Sequence, residues 1–288
     1  MNPGRTSALQ SNASQPFARH LDPVRLIAHL WRNRHLIEQF TRREIEGRYR
    51  SSLLGFAWSF INPLVLLLVY TFVFGVIFKS RWQNQGPEHL GQYGLVLFAG
   101  MIAFGVFGEC VGRAAGLIVA TPNYVKKVVF PLELLAVGVV GSALFHTAVN
   151  LTVLLALDLL LGGSLHWTLL LIPVVLLPVV LLSLGLSWLL SSLGVFIRDL
   201  GYAVALGVQV LFFMTPIFYP VAAIPVPYRQ LIRYNPLSTV VEGLRTVVFQ
   251  GVAPDWTALL ASGVVGLAAL LVGNAWFMKT RRAFGDVI

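Results

Sequence analysis

Six stretches of the chain are apolar for long enough to cross a bilayer, and short polar or basic connections separate them. A spanning helix needs about 20 mostly apolar residues. Leu53–Phe78 is continuous and uncharged, with a break at Asn62-Pro63. Tyr93–Tyr124 is interrupted by Glu109 and Arg113. Leu134–Leu157 encloses His146 and Asn150. Trp167–Ile197 contains Pro173 and Pro178, Leu200–Tyr219 ends in a proline-rich stretch, and Trp256–Met278 is the sixth. Every backbone amide in lipid must be paired within its own segment, so the pattern predicts helices rather than open strands.

Two segments are neither span nor ordinary loop. Asp22-Pro23 is a helix start, an N-cap followed by proline at the first helical position. Leu26, Leu30, Ile37 and Phe40 then recur at helical spacing among Arg25, Arg32, Arg34 and Glu38. This reads as an amphipathic helix at the membrane interface over residues 22–50, with a small soluble helical hairpin as the alternative. Ile224–Val252 is too polar for a clean span and too apolar for a solvated loop. It fits two short helices dipping back between spans five and six, with breaks at Pro225, Pro227 and Asn235-Pro236. Residues 1–21, rich in Ser, Asn and Gln near their start, are expected to be a disordered tail. The predicted fold is an all-α integral membrane protein with six spans over residues 51–288. No internal repeat stands out.

Composition agrees. Of 288 residues, 57% are hydrophobic and 11% charged, against roughly 25% charged in a soluble domain. The net charge of +9 is distributed between apolar blocks, which favours a membrane over nucleic acid as its partner. Fifteen lysines and arginines fall on the side of the N-terminal segment and five on the other. Basic connections stay in the cytoplasm, so both termini are expected there. The first 50 residues hold no signal-peptide core, and a single cysteine, Cys110, permits no internal disulfide.

Catalytic chemistry is sparse. None of the four lysines follows a glycine, so no phosphate-binding loop is present, and there is no HExxH, paired-cysteine or GxSxG motif. No metal site is expected. His146 is expected to be packed and hydrogen-bonded rather than a ligand. Glu109 and Arg113, four apart, share a helix face. They either form a polar patch facing a conduit or a dimer partner, or snorkel to water at the cytoplasmic end of the span. The basic turn TPNYVKKVVFP is a partner-docking element or a plain positive anchor, and charge alone favours the anchor. Trp58, Tyr70, Phe104, Phe107, Phe212, Phe218 and Tyr219 are packing rings by default, or a ring-lined conduit that would suit sugars.

Several stretches together resemble one family. RREIEGRYRSSLLGFAWSFINPLVLLLVYTFVFGVIFK (Arg42–Lys79), NYVKKVVFPLE (Asn123–Glu133), FIRDLGY (Phe196–Tyr202), TPIFYP (Thr215–Pro220), YNPLSTVVEGLR (Tyr234–Arg245) and the tail RRAFGDVI are similar to the membrane subunits of type-2 ABC exporters, polysaccharide branch. Those subunits move lipid-linked O-antigen, capsule or teichoic acid chains. The resemblance spans roughly residues 25–288. It implies a second copy of the chain and two cytoplasmic ATPase subunits that supply ATP and Mg, with no cofactor on this chain. Asn123, Tyr124, Lys126 and Lys127 would then dock the ATPase. The residue 22–50 helix would be a gate, with Arg42, Arg43, Arg48 and Arg50 placed to meet the pyrophosphate of an undecaprenyl-linked glycan. The implied location is the bacterial cytoplasmic membrane. A permease for a drug or free lipid, and a membrane-embedded polyprenyl-lipid enzyme, are the competing readings. The latter lacks the acidic or histidine cluster such chemistry needs.

Overall fold

A computed structural model of the chain describes residues 22–50, 52–77, 90–126 and 130–287. The described residues are helical apart from turns. The expected tail over residues 1–21, and Lys127, lie outside them.

The N-terminal segment forms two helices, α1 (Pro23–Arg32) and α2 (Arg34–Tyr49), where the sequence predicts one. Asp22 caps α1 as expected, accepting from the amides of Val24 and Arg25. Asn33 makes the break: its backbone N–H and its side-chain amide both turn back onto the His29 carbonyl. The first span begins with a tight turn over Gly55–Ala57, continues as α3 (Trp58–Tyr70) through Pro63 and widens into a π-helix over Thr71–Ile77. Next come α4 (Leu90–Ala114), the short α5 (Pro122–Lys126), α6 (Glu133–Leu160), α7 (Ile172–Phe196) and α8 (Leu200–Met214). The last elements are α9 (Val226–Arg233), α10 (Pro236–Arg245), α11 (Trp256–Thr280) and α12 (Phe284–Val287).

Five helical segments among the described residues are long and apolar enough to cross a membrane. The expected fifth span is the exception. Its helix α8 has 15 residues, about 22 Å at 1.5 Å per residue, because Thr215 is already extended and Pro216 follows. The second block is also shorter than its hydropathy suggests. α4 stops at Ala114, and the apolar run beyond it is packing: Ala115 and Ile118 are buried, and the Thr121 hydroxyl turns back onto the Leu117 carbonyl.

Contacts between helix ends fix the directions. α7 and α11 run parallel, since Pro178 meets Gly266 and Gly185 meets Gly273, while the Ser192 and Thr280 hydroxyls bond at 2.6 Å. This is the most extensive helix pair. A Cβ on Gly273 would overlap the Gly185 carbonyl, so small residues let the backbones touch, as packing within lipid favours. α4 shares their direction, with the Ala115 carbonyl seated on Gly194. α6 runs opposite, since Gly91 meets Leu161, and so does α8, whose far end brings the Phe218 carbonyl to Tyr93. α2, α5, the α7–α8 turn and α12 therefore share one end of the bundle. The start of α4, the end of α6 and the α9–α10 segment share the other.

Two charged knots tie these ends. At the first, Glu133, 2% exposed, accepts from His29 at 3.0 Å and Arg281 at 3.2 Å, and its backbone carbonyl accepts from the Trp188 indole. At the second, the buried Arg245 guanidinium donates to the carbonyls of Val96, Pro216 and Ile217 and to the Glu242 carboxylate. Around it, α10 buries Leu237, Val240, Val241 and Leu244 against α4, α7 and α11.

Candidate functional site

The site builds up where α2 meets α4 and α6. α2 leans along α6 rather than lying apart from the bundle. Phe40 packs over Gly138 and Thr41 over Gly141, where a Cβ would collide. Farther along, the Tyr49 hydroxyl reaches the level of His146. His146 lies 13 residues beyond Glu133, about 20 Å up the helix.

A polar ladder joins the three helices at the far end of α2. Arg48 pairs with Glu109 at 2.9 Å and Arg113 pairs with Glu44 at 2.5 Å. Glu109 and Arg113 do share a face, at 4.0 Å, but the nearer partner of each comes from α2. Arg48 also reaches His146 Nδ1 at 3.0 Å, and Tyr49 lies 3.0 Å from its Nε2. The same Nδ1 also lies 3.5 Å from the Glu109 carboxylate, so Arg48, Tyr49 and Glu109 together hold the ring. Burial pushes the Tyr49 phenol above its ordinary pKa, which keeps it neutral. His146 is thus packed and hydrogen-bonded, as its place in the sequence predicts.

Two cavities flank the ladder. The larger, about 1090 Å³, is lined by Arg43, Arg48, Arg50 and Arg113, with Glu44 and Glu46 opposing them. Among the described residues, Arg50 closes no ion pair. The second, about 580 Å³, lies behind Arg48 and Tyr49 and reaches between α3, α4 and α6. Trp58, Asn62, Phe98, His146 and Asn150 line it. Arg42 departs from the expected cluster. It turns to Glu46 at 2.7 Å, one helical turn on, and lines neither cavity.

The basic turn touches the same helix. Arg43 donates to the Tyr124 hydroxyl, and its guanidinium lies 5.6 Å from the centre of that ring. Phe40, Tyr124 and Phe130 form a triangle of rings with centroids 4.8–5.6 Å apart. Asn123 and Lys126 are exposed on α5.

The seven candidate rings separate. Phe104 and Phe107 are buried in the core of the single chain, which removes them as conduit lining because van der Waals contacts cover both faces. Phe212 packs on Phe104 and on Phe218, and Tyr70 and Phe74 pack against Phe218. Tyr219 is half-buried and donates to the Phe213 carbonyl. Trp58 alone combines an exposed ring with a cavity wall. The sequence offers no signal for Tyr49, Asn62, Glu133 or the His29–Glu133 pairing, because those partners sit far apart along the chain.

The model of the ABC-2 type transporter family matches residues 35–249. The chain is similar to the O-antigen export system permease protein RfbA of Myxococcus xanthus, 28% identical over 267 residues, covering 92% of this chain and all of that protein. An O-antigen export permease RfbA of Klebsiella pneumoniae is 28% identical over 255 residues, 88% of this chain and 95% of the relative. The polysialic acid transport protein KpsM of Escherichia coli is 25% identical over 261 residues, 86% and 94% respectively.

Proposed function

Since this chain belongs to the ABC-2 type transporter family, we propose that it is the membrane permease of an ATP-driven exporter of lipid-linked polysaccharide. The observation that carries this reading is the end-to-end similarity to permeases named for O-antigen export. The polysialic acid relative supports the same cargo class.

In this reading the working unit is two copies of the chain with two cytoplasmic ATPase subunits, which hold ATP and Mg. The chain crosses the bacterial cytoplasmic membrane six times, with α8 and its extension to Tyr219 as the fifth span. The end carrying α2, α5 and α12 is cytoplasmic. It holds thirteen of the sixteen described lysines and arginines, against Arg229, Arg233 and Arg245 at the other end, and basic connections stay in the cytoplasm.

The larger cavity suits the diphosphate of an undecaprenyl-linked glycan. Arg43, Arg48 and Arg50 are its contacts, and a guanidinium fork matches phosphate oxygens. Arg113 joins them, and Arg42 does not. The second cavity offers Trp58, Asn62 and Asn150 on the path into the bilayer. When the ATPase pair closes, α5 moves, and Tyr124 passes that displacement to α2 through Arg43 and Phe40. The gate then shifts between two packed states.

Mild solubilisation of the tagged chain from its native host, followed by mass spectrometry, tests the assembly. A stoichiometric ATPase subunit is expected. A chain that comes out alone even after crosslinking has no energy source, and the exporter reading fails.

A further inference from the structure

The other end of the bundle holds a pocket that the export pathway does not use. It has a volume of about 450 Å³ and lies between α9, α10 and the start of α11. That volume suits a headgroup, not a polymer. Its polar wall carries both signs of charge: Arg233 from α9, Glu242 from α10 and Asp255 at the cap of α11, with Thr239 and Thr246 between them. Ser238 also lines it. That residue is 4% exposed, and its Oγ has no hydrogen-bond partner. A buried hydroxyl without a partner is costly, and a ligand donor or acceptor in the pocket would relieve it.

The charges are held apart. Glu242 already bonds Arg245, which leaves a second carboxylate oxygen. Asp255 is held below the ordinary carboxylate range by the Thr257 hydroxyl, the Ala258 amide and, more weakly, Arg233. Among the described residues no contact ion pair forms between Arg233 and Asp255. Below this wall the pocket becomes apolar at Ala258 and Leu259. The adjoining face of the same helix carries the exposed Trp256, Leu260 and Val264. A tryptophan at the start of a spanning helix sits at headgroup level.

From this arrangement we infer that the pocket binds a zwitterionic aminophospholipid of the leaflet on that side. The phosphate meets Arg233, the ammonium lies between Glu242 and Asp255, the glycerol backbone meets Ala258 and Leu259, and the acyl chains pass round α11 to its exposed face at Leu260 and Val264. A free saccharide would use the hydroxyls but leave the apolar continuation of the pocket without a partner. The inference rests on where α11 meets the bilayer and not on the cargo. Its failure therefore leaves the export reading untouched.

Native mass spectrometry of the purified full chain, with whatever subunits it retains, tests this. The protein is loaded from nanodiscs with phosphatidylethanolamine, phosphatidylcholine or phosphatidylglycerol. Phosphatidylethanolamine is expected to be retained about tenfold better than phosphatidylglycerol, a difference of about 1.4 kcal/mol. Phosphatidylcholine, which has no N–H to donate to the carboxylates, is expected to fall between them. Arg233→Gln, at an exposed side chain outside the core, should lower retention of all three lipids, since each carries the phosphate, and Asp255→Asn, which keeps the helix cap, should remove the preference for the ethanolamine lipid. Ser238→Ala should weaken retention without touching any packing contact. Equal retention of the ethanolamine and glycerol lipids, or wild-type retention by Arg233→Gln, overturns the inference.

Discussion

The Arg43 guanidinium donates to the Tyr124 hydroxyl and covers its ring, joining α2 to α5 across 81 residues of sequence. The family resemblance in the sequence points the first of these residues at cargo and the second at an ATPase. Their contact makes the two expected surfaces parts of one element. A push on α5 has a short path to the helix that carries Arg48 and Arg50.

The phenol and the ring can be separated. Tyr124→Phe keeps the ring triangle with Phe40 and Phe130 and loses the hydroxyl. Tyr124→Ala loses both. Export in the native host is expected to fall modestly with the first and steeply with the second, while ATPase co-purification stays within about twofold. Tyr124→Phe keeps the cation–π contact, worth about 0.5–1 kcal/mol at such a site, and loses one hydrogen bond of about 0.5–1.5 kcal/mol net, so it should leave folding intact. Equal export by both variants would mean that the contact carries no motion.

Glu109 holds the ladder between α2, α4 and α6 together. Glu109→Ala removes the acceptor of Arg48 and leaves His146 with fewer partners. Both side chains of the pair are partly exposed, so solvent moderates the loss to about 1–2 kcal/mol. Thermal unfolding in detergent should show the decrease, and Glu109→Gln, which still accepts one hydrogen bond, should recover part of it.

The parallel contact of α7 with α11 predicts a contrast between two glycines on one helix. Gly273→Ala places a methyl group on the Gly185 carbonyl, whereas a Cβ on Gly263 meets nothing within 4 Å. Overpacking of a close contact costs about 1–3 kcal/mol or more. Gly263→Ala should be neutral or stabilising by up to about 1 kcal/mol through helix propensity. Folded yield in membranes, measured side by side, checks both.

Arg245 predicts a sharper loss. Arg245→Leu leaves the carbonyls of Val96, Pro216 and Ile217 without a guanidinium, and removing one member of such a buried network costs about 3–5 kcal/mol. Arg245→Lys should rescue little. One ammonium cannot span acceptors spread over two helices and a turn, and Gly100, whose Cβ would sit 2.7 Å from the guanidinium, leaves a slot shaped for a flat group.

The hydropathy of the chain made its all-helical, membrane-spanning character plain, because lipid imposes its length and composition on every span. Asp22 announced its helix through its capping chemistry. Two helix boundaries depart from the hydropathy for one reason: it does not separate apolar residues in lipid from apolar residues packed on protein. Ala115 and Ile118 extended the second block without extending its helix, and Thr215-Pro216 ended α8 inside an apolar run. The arginine cluster was visible as charge, but Arg42 and Arg43 face different ways on α2, one toward Glu46 and one toward Tyr124. Phe104 and Phe107 looked like any other rings until the fold enclosed them. Glu133 gave no sign of its role, since His29 and Arg281 reach it from opposite ends of the chain.

The most direct test of polysaccharide export is to deplete this chain in its native host and follow the glycan on both sides of the membrane. The account predicts that surface polysaccharide disappears while lipid-linked glycan accumulates on the cytoplasmic side. It also predicts that the chain restores export, whereas a variant carrying Arg43→Gln, Arg48→Gln and Arg50→Gln does not. Undiminished surface polysaccharide in the depleted cells, with no lipid-linked glycan accumulating inside, would contradict it.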